Sequence, residues 1–366
     1  MIVNMKQIIK CTLLAFILLW LSACGVQKGQ QSNAKGNGQY ATYAIAFYNV
    51  ENLWHPSVDP QNARDRDFIP DGPYQWTTSK YQRKLDNLAR VLSQLGREQT
   101  PLGPAFIGIA EVENRQVLED LAARPAVRDM GLKVIHQEGP DHRGIDVAAL
   151  YNPALFQLQS YKCYAYPKLE NNPTFATRDQ LRVTGLLAGE RVHFIVMHWP
   201  SRYGGKTSDY LRVHAARLTL QIMDEIYAEE PDAKIIIMGD MNDDPDNASI
   251  EEVLQAKEYK DEVTPHGLYN PARSIHRQGI GTLAYQGKWN FFDQMIVNGN
   301  LLRPARKDQG GELQYWKMEI FNRSYLIQQE GRYKGAPFRS FQGNTFIDGY
   351  SDHFPVLIYL LKPLQR

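Results

Sequence analysis

Acids, amides and imidazoles recur at one kind of place along this chain, beside a short apolar run. Asn49 and Glu51 close the run at 43–50, Glu111 closes 105–112 with Glu113 just beyond, His198 ends 191–199, and Asp240 with Asn242 ends 233–241. Asp293 opens 291–298, and Asp352 with His353 stand directly before 354–361. A buried strand needs neither acid nor imidazole at its mouth. A single residue of this kind is ordinarily a turn former or helix cap, and "GDMNDDPD" alone would be such a loop. Repetition at so many run ends needs another cause: if the ends gather at one edge of layered sheets, these side chains converge in one cleft.

The chemistry of such a cleft follows from the donor types. Oxygen ligands (Glu111, Glu51, Asp352, Asp240, Asn49, Asn242) with no cysteine among them suit a hard cation, Mg²⁺, with Mn²⁺ or Ca²⁺ as alternatives, rather than zinc. His198 and His353 add groups that move protons near neutral pH.

The elements that must position these residues are short. The runs 43–50, 105–112, 144–151, 191–199, 233–241, 291–298 and 354–361 are brief, and several are rich in β-branched residues, so strands are expected. Helices are expected at 79–95, where Tyr81, Leu85, Leu88, Val91, Leu92 and Leu95 make one stripe, and at 114–123, 208–228 and 248–256. No repeat of fixed period is present. With 43% hydrophobic and 22% charged residues over 366 positions, the chain is of the soluble globular class with a substantial core. Lys+Arg 41 against Asp+Glu 40 leaves a net charge of +1, so any nucleic-acid partner would be attracted by local patches.

Lys6 and Lys10 precede "CTLLAFILLWL", which suits the core of a signal peptide. "LSAC" at 21–24 resembles the lipobox of bacterial lipoproteins. The resemblance implies a signal peptide over 1–23, diacylation of Cys24, and a lipid-anchored protein of the cell envelope. Gly25 lacks the aspartate associated with inner-membrane retention, which favours the outer membrane or cell surface. Residues 24–39, rich in Gly, Gln, Asn and Ser, read as a flexible tether, and the folded unit as 40–366. Cys11 falls in the removed peptide, so Cys163 remains alone and no intramolecular disulfide is expected.

The ordered set "YNVENL", "IAEVEN", "RGIDVAALY", "HWPSR", "GDMND", "FFDQMIV" and "YSDHFPV" resembles the endonuclease/exonuclease/phosphatase superfamily, from Phe47 to Leu360. That group includes deoxyribonuclease I, exonuclease III-type enzymes, neutral sphingomyelinases and inositol polyphosphate 5-phosphatases. The implied fold is α/β, a four-layer α/β/β/α sandwich with two mostly antiparallel sheets and the cleft at one edge. By resemblance Glu111 is the principal metal ligand, with Asn49, Glu51 and Asp352 completing or supporting the metal site. Asp240 and Asn242 activate the attacking water and hold the phosphate. His353 acts at the scissile phosphate, Asp293 orients it, and His198 is the second histidine of deoxyribonuclease I-like and sphingomyelinase-like members.

Several assignments stay open at this level. Arg178 in "FATRDQLRV" could clamp substrate phosphate or pair with Asp179, and Arg143 and Arg202 are weaker candidates of the same kind. Asp146 could hold the tautomer of His198 or be a structural acid. His136, His142, His193 and His214 read as surface or helix histidines. Residue 113 is Glu where deoxyribonuclease I-like enzymes carry a groove-entering arginine, so that mode of DNA binding is not expected. The basic and aromatic segment between Gly299 and Gly343 could bind a nucleotide or single strand, or simply pack onto the domain. The expected activity is metal-dependent hydrolysis of phosphate esters, foremost as an envelope phosphodiesterase or nuclease. An inositol-phosphate or sphingomyelin-type enzyme is the alternative, and a non-catalytic surface lipoprotein a weaker one. No protein partner is indicated.

Overall fold

Alternate side chains of β1 (Tyr40–Leu53) enter two different cores: Ala44, Ala46, Tyr48 and Val50 on one face, Ile45 and Phe47 on the other. This is the period-two geometry of a strand buried on both faces. The computed structural model describes residues 40–57, 66–303 and 312–364; the expected signal peptide and tether, with Cys24, lie outside them.

The first half supplies β2 (Phe106–Val112), β3 (Lys133–His136), β4 (Asp146–Tyr151), β5 (Phe156–Tyr164), β6 (Gln180–Leu187) and β7 (Glu190–His198). The second supplies β8 (Lys234–Asp240), β9 (Leu268–Tyr269), the hairpin β10 (Leu283–Tyr285) and β11 (Lys288–Asn290), and β12 (Asp293–Asn298). After them come β13 (Gln314–Ile320), the hairpin β14 (Phe341–Gln342) and β15 (Thr345–Phe346), and β16 (Val356–Pro363). Two six-stranded sheets result, ordered β13-β16-β1-β2-β4-β3 and β5-β6-β7-β8-β12-β9. Their neighbours are antiparallel except for one parallel pair in each, β1 with β2 and β7 with β8.

Parallel neighbours cannot be joined by a hairpin, and each pair spends a helix on its crossover. Helix α1 (Thr78–Leu92) lies between β1 and β2 in the chain, its first turn capped by Thr77, whose side chain accepts from the Lys80 N–H. The short α2 (Arg115–Ala122) follows β2, capped by Asn114. The 21-residue α3 (Asp209–Glu229) lies between β7 and β8. Tyr81, Leu85 and Leu88 of α1 and Leu118 of α2 pack on the outer face of the first sheet. Ala216, Ile222 and Ile226 of α3 pack on the outer face of the second, against Ile195, Ile235 and Ile237. Between the sheets Ile45, Phe47, Phe106, Phe194, Val196 and Met238 form the central core, where the Phe106 and Phe194 rings stack with centroids 4.0 Å apart. The layers therefore run helix, sheet, sheet, helix.

The structure adds strands the apolar runs did not announce. β5, "FQLQSYKCY", is an edge strand with most side chains exposed, so it carries no continuous apolar run. β3, β6 and β13 are interrupted by polar residues in the same way. The helix expected at 248–256 is a single wide turn, Ser249–Val253. His136 and His193 are buried strand residues rather than surface or helix ones. His193 is satisfied there by Thr184 Oγ1 at 2.9 Å and Glu230 Oε2 at 3.2 Å.

Candidate active site

Strand alternation carries four polar residues onto the inter-sheet face at its open rim. Ile45 and Phe47 lead to Asn49; Phe194 and Val196 to His198; Ile236 and Met238 to Asp240; and Met295 is preceded on its face by Asp293. Register brings them level: Asn49 lies opposite Ala110, His198 opposite Asp240, and Asp240 opposite Asp293. Phe47 pairs with Val356, which sets the approach to β16, and His353 with it, at the same rim.

Glu111 breaks this rule. Ile107 and Ile109 face the helices, and simple alternation would send Glu111 after them. Instead its φ is 66°, and the pairing with β4 shifts between Ala110 and Val112, the signature of a bulge. A bulge re-aims one side chain, here the carboxylate. Glu51, Asn52 and Asn242 also have left-handed φ, at 51°, 54° and 49°. Such backbone is costly for side-chain-bearing residues and gathers where function demands it.

The side chains interlock. Asn49 Nδ2 donates to Glu111 Oε1 at 3.1 Å and to Asp240 Oδ2 at 3.0 Å, while its Oδ1 accepts the Glu51 N–H at 2.9 Å. The amide therefore turns its nitrogen, not its oxygen, toward the acids. Glu111 Oε2 accepts the Asn52 N–H at 2.9 Å. His198 Nε2 stands 3.5 Å from Asp240 Oδ2 and 4.0 Å from Glu111 Oε1. His353 Nδ1 lies 2.7 Å from Asp293 Oδ2, which also accepts from Thr282 Oγ1; its Nε2 lies 3.9 Å from Asp240 Oδ2. The Asn242 N–H donates to Asp240 Oδ1 at 2.9 Å and its Nδ2 to the Trp199 carbonyl at 3.0 Å.

Electrostatics separate the two histidines. Burial would strip the proton from His353, but the charge and hydrogen bond of Asp293, with Asp240 and Asp352, outweigh it and hold the imidazolium well above its usual range. His198 goes the other way: burial first, then the charges of Arg178, Arg143 and His353, pull it well below, so it is neutral, with Nδ1 buried and unpartnered. Asp240 is raised by burial to about 7, with His353 opposing and Asp293 and Glu111 adding to the rise.

The donor set fits a divalent metal. Glu111, His198 and Asp240 offer ligand atoms within 4.8 Å of one another, as do Asp240, Asp293 and His353. Glu111 is only half-buried, and both its oxygens are tied by the neighbouring amides. Carboxylates so close together, with Asp240 pushed up by burial, suit a hard cation.

Glu51 and Asp352 stand on the flank of this group. Glu51 is pushed up to about 7 by burial and by Asp352, with Lys84 opposing, and its Oε2 accepts the Ser340 N–H at 2.6 Å. Arg339 reaches both acids, Nη2 to Asp352 Oδ2 at 3.0 Å and Nε to Glu51 Oε1 at 3.7 Å. Burial lowers the Lys84 ammonium beside them to about 8.

Arg178 is committed elsewhere. Its guanidinium is 5% exposed, pairing with Asp141 at 3.1 Å rather than with Asp179 and donating to the Trp199 carbonyl at 2.7 Å. An enclosed guanidinium of this kind braces the site instead of offering an open phosphate clamp. Arg202 is likewise occupied, by the Asn242 carbonyl, Asp243, Asp244 and Asn247. Asp146 pairs with His136 at 3.2 Å, not with His198. Glu113 is buried and accepts the His55 N–H at 2.7 Å.

Sequence reasoning missed Lys84, Thr282 and Arg339 as parts of the site. Lys84 and Thr282 carry no local signal, since each reaches the site only through folding. Arg339 lay within the basic and aromatic segment, whose Phe338 and Phe341 do pack against the first-sheet core.

The sequence profile of the Endonuclease/Exonuclease/phosphatase family matches residues 44–362. Among solved structures, humanized Danio rerio TDP2 with 14 mutations is 15% identical with a TM-score of 0.53, covering 87% of this chain and 98% of its own. D. rerio TDP2 complexed with single strand DNA product is 13% identical with a TM-score of 0.51 over the same shares. A mannosyl-6-phosphatase from Bacteroides thetaiotaomicron is 15% identical with a TM-score of 0.50, covering 87% of this chain and 99% of its own. These are likenesses of fold. No curated protein matches the chain.

Proposed function

Because the chain belongs to the endonuclease/exonuclease/phosphatase family, we propose that it is a divalent-metal-dependent phosphodiesterase, acting on nucleic acid or a smaller phosphodiester at the cell envelope. The observation that carries this reading is the His353–Asp293 pair at 2.7 Å, facing Asp240, Glu111 and Asn49 across one rim.

Hydrolysis forms a bond from a water oxygen to phosphorus, breaks the bond to the leaving oxygen, and moves one proton from the water toward the leaving group. Mg²⁺, with Mn²⁺ or Ca²⁺ as alternatives, held at Glu111, would neutralise charge developing on the phosphoryl oxygens. Asp240 accepts the proton of the water. Asn49 holds Asp240 and Glu111 in register through its amide nitrogen. Asn242 donates to a phosphoryl oxygen without adding negative charge. His353, kept cationic, donates from Nε2 to the phosphoryl group, while neutral His198 is a second donor, giving its proton to the leaving oxygen as the bond to phosphorus breaks.

A second reading, hydrolysis of small phosphate monoesters such as sugar or inositol phosphates, is favoured by Glu113, a buried acid where the minor-groove arginine would be needed. The chain from Tyr40 onward, incubated with Mg²⁺ and DNA, RNA, bis-p-nitrophenyl phosphate, inositol phosphates or mannose 6-phosphate, separates the two. Diester cleavage that stops with EDTA is expected. Turnover of monoesters alone would put the second reading in its place, and turnover indifferent to EDTA would remove both.

Envelope tethering is part of the proposal and rests on "LSAC". Cys24→Ala is expected to move the protein from the detergent phase of a Triton X-114 partition to the aqueous phase. Unchanged partition would end that part of the reading.

A further inference from the structure

Charge balances differently in the two halves of the rim. Around Asp240, three carboxylates (Glu111, Asp240 and Asp293) meet two imidazoles, His198 and His353, and among the described residues no Lys or Arg side chain forms an ion pair with them. On the flank, Glu51 and Asp352 are instead bridged by a guanidinium of the chain itself, that of Arg339. We propose that the Arg339 guanidinium is a resident counter-cation that takes the place of a second metal, so that this site binds one divalent ion. The inference rests on the metal dependence proposed above.

The geometry of Arg339 supports a fixed role. Its Nη2 lies 3.0 Å from Asp352 Oδ2, and its Nε, buried without a hydrogen-bond partner, faces Glu51 Oε1 at 3.7 Å. Guanidinium does not lose its proton in proteins, so this positive charge is permanent. The backbone that carries it is clamped. Ser340 N–H donates to Glu51 Oε2 at 2.6 Å, and Phe338 exchanges backbone bonds of 2.7 Å with Leu326 and Tyr350. Gly349 lets a second chain segment cross here, since a Cβ at that position would sit 1.9 Å from the Arg339 carbonyl oxygen. Lys84 donates to Ser340 Oγ and to the Tyr350 carbonyl, fixing the same segment from α1.

Arg339 is on this account a positioning residue. It holds Asp352, whose Oδ1 is 3.9 Å from His353 Nε2, and neutralises two acids that would otherwise draw a second cation beside the first. Removing the charge leaves Glu51 and Asp352 without the guanidinium that bridges them.

The test counts ions without turnover. Mn²⁺ is titrated into the full chain in detergent, and the free ion is read by its paramagnetic resonance signal. One Mn²⁺ per chain is expected for the wild type and for Arg339→Lys, and two for Arg339→Met, the second weaker. Circular dichroism confirms the fold, and Arg339→Gln replaces the Met variant if that one does not fold. Two ions in the wild type, or one in a folded uncharged variant, would overturn the proposal while leaving the phosphoesterase reading standing. No bound ion in any form would overturn both.

Discussion

His353→Ala is expected to lower kcat by roughly 10³-fold while KM stays within about threefold, because a donor aimed at developing charge stabilises the transition state more than the ground state. Steady-state kinetics on bis-p-nitrophenyl phosphate decide it. A rise in KM at unchanged kcat would make His353 a binding residue. The pH profile sharpens the point. Asp293, hydrogen-bonded at 2.7 Å, is the largest influence holding the His353 pKa up against burial. A group with a raised folded pKa keeps its proton below that pKa and loses it as pH rises through it. Activity that needs the imidazolium is therefore lost on the alkaline side, and Asp293→Asn, which lowers the folded pKa, should draw that alkaline limb toward neutrality. An unmoved limb would mean that His353 works without its charge.

Glu111→Gln should be nearly as damaging for a different reason. The substitution keeps the size of the side chain and an oxygen while removing one of the three carboxylate charges near His353 and Asp240. Losing about 3 kcal/mol of charge stabilisation corresponds to roughly 100-fold weaker Mn²⁺ binding and a comparable fall in kcat/KM. Excess Mn²⁺ should restore part of the rate. In His353→Ala, by contrast, added metal should change nothing, because the missing group is a proton donor. If Glu111→Gln bound Mn²⁺ as tightly as the wild type, the metal reading of this carboxylate would fall.

The electrostatics of the two histidines could not be read from their neighbours in the chain. His198 has Trp199 and Pro200 beside it, and His353 has Asp352. Yet the partner that sets His353 is Asp293, 60 positions away, and the charges that depress His198 include Arg178 and Arg143, with burial foremost. Glu51 and Asp352, sequence neighbours of Asn49 and His353, belong to a flank organised by Arg339 and Lys84. Proximity in sequence ties them to the rim and says nothing of their counter-ions.

The amino-acid order by itself determined the strands that carry Asn49, His198, Asp240 and Asp293, since an apolar run of alternating faces must bury both sides and present its next inward residue at the rim. It determined the family too, through the succession of short motifs along the chain. Folding alone decided the rest. The left-handed backbone that turns Glu111 inward against its own alternation, and the guanidinium of Arg339 between two distant acids, arise from contacts among segments far apart in the chain. Charge and hydrogen bonding act over a few ångströms of space, and linear order does not encode that distance.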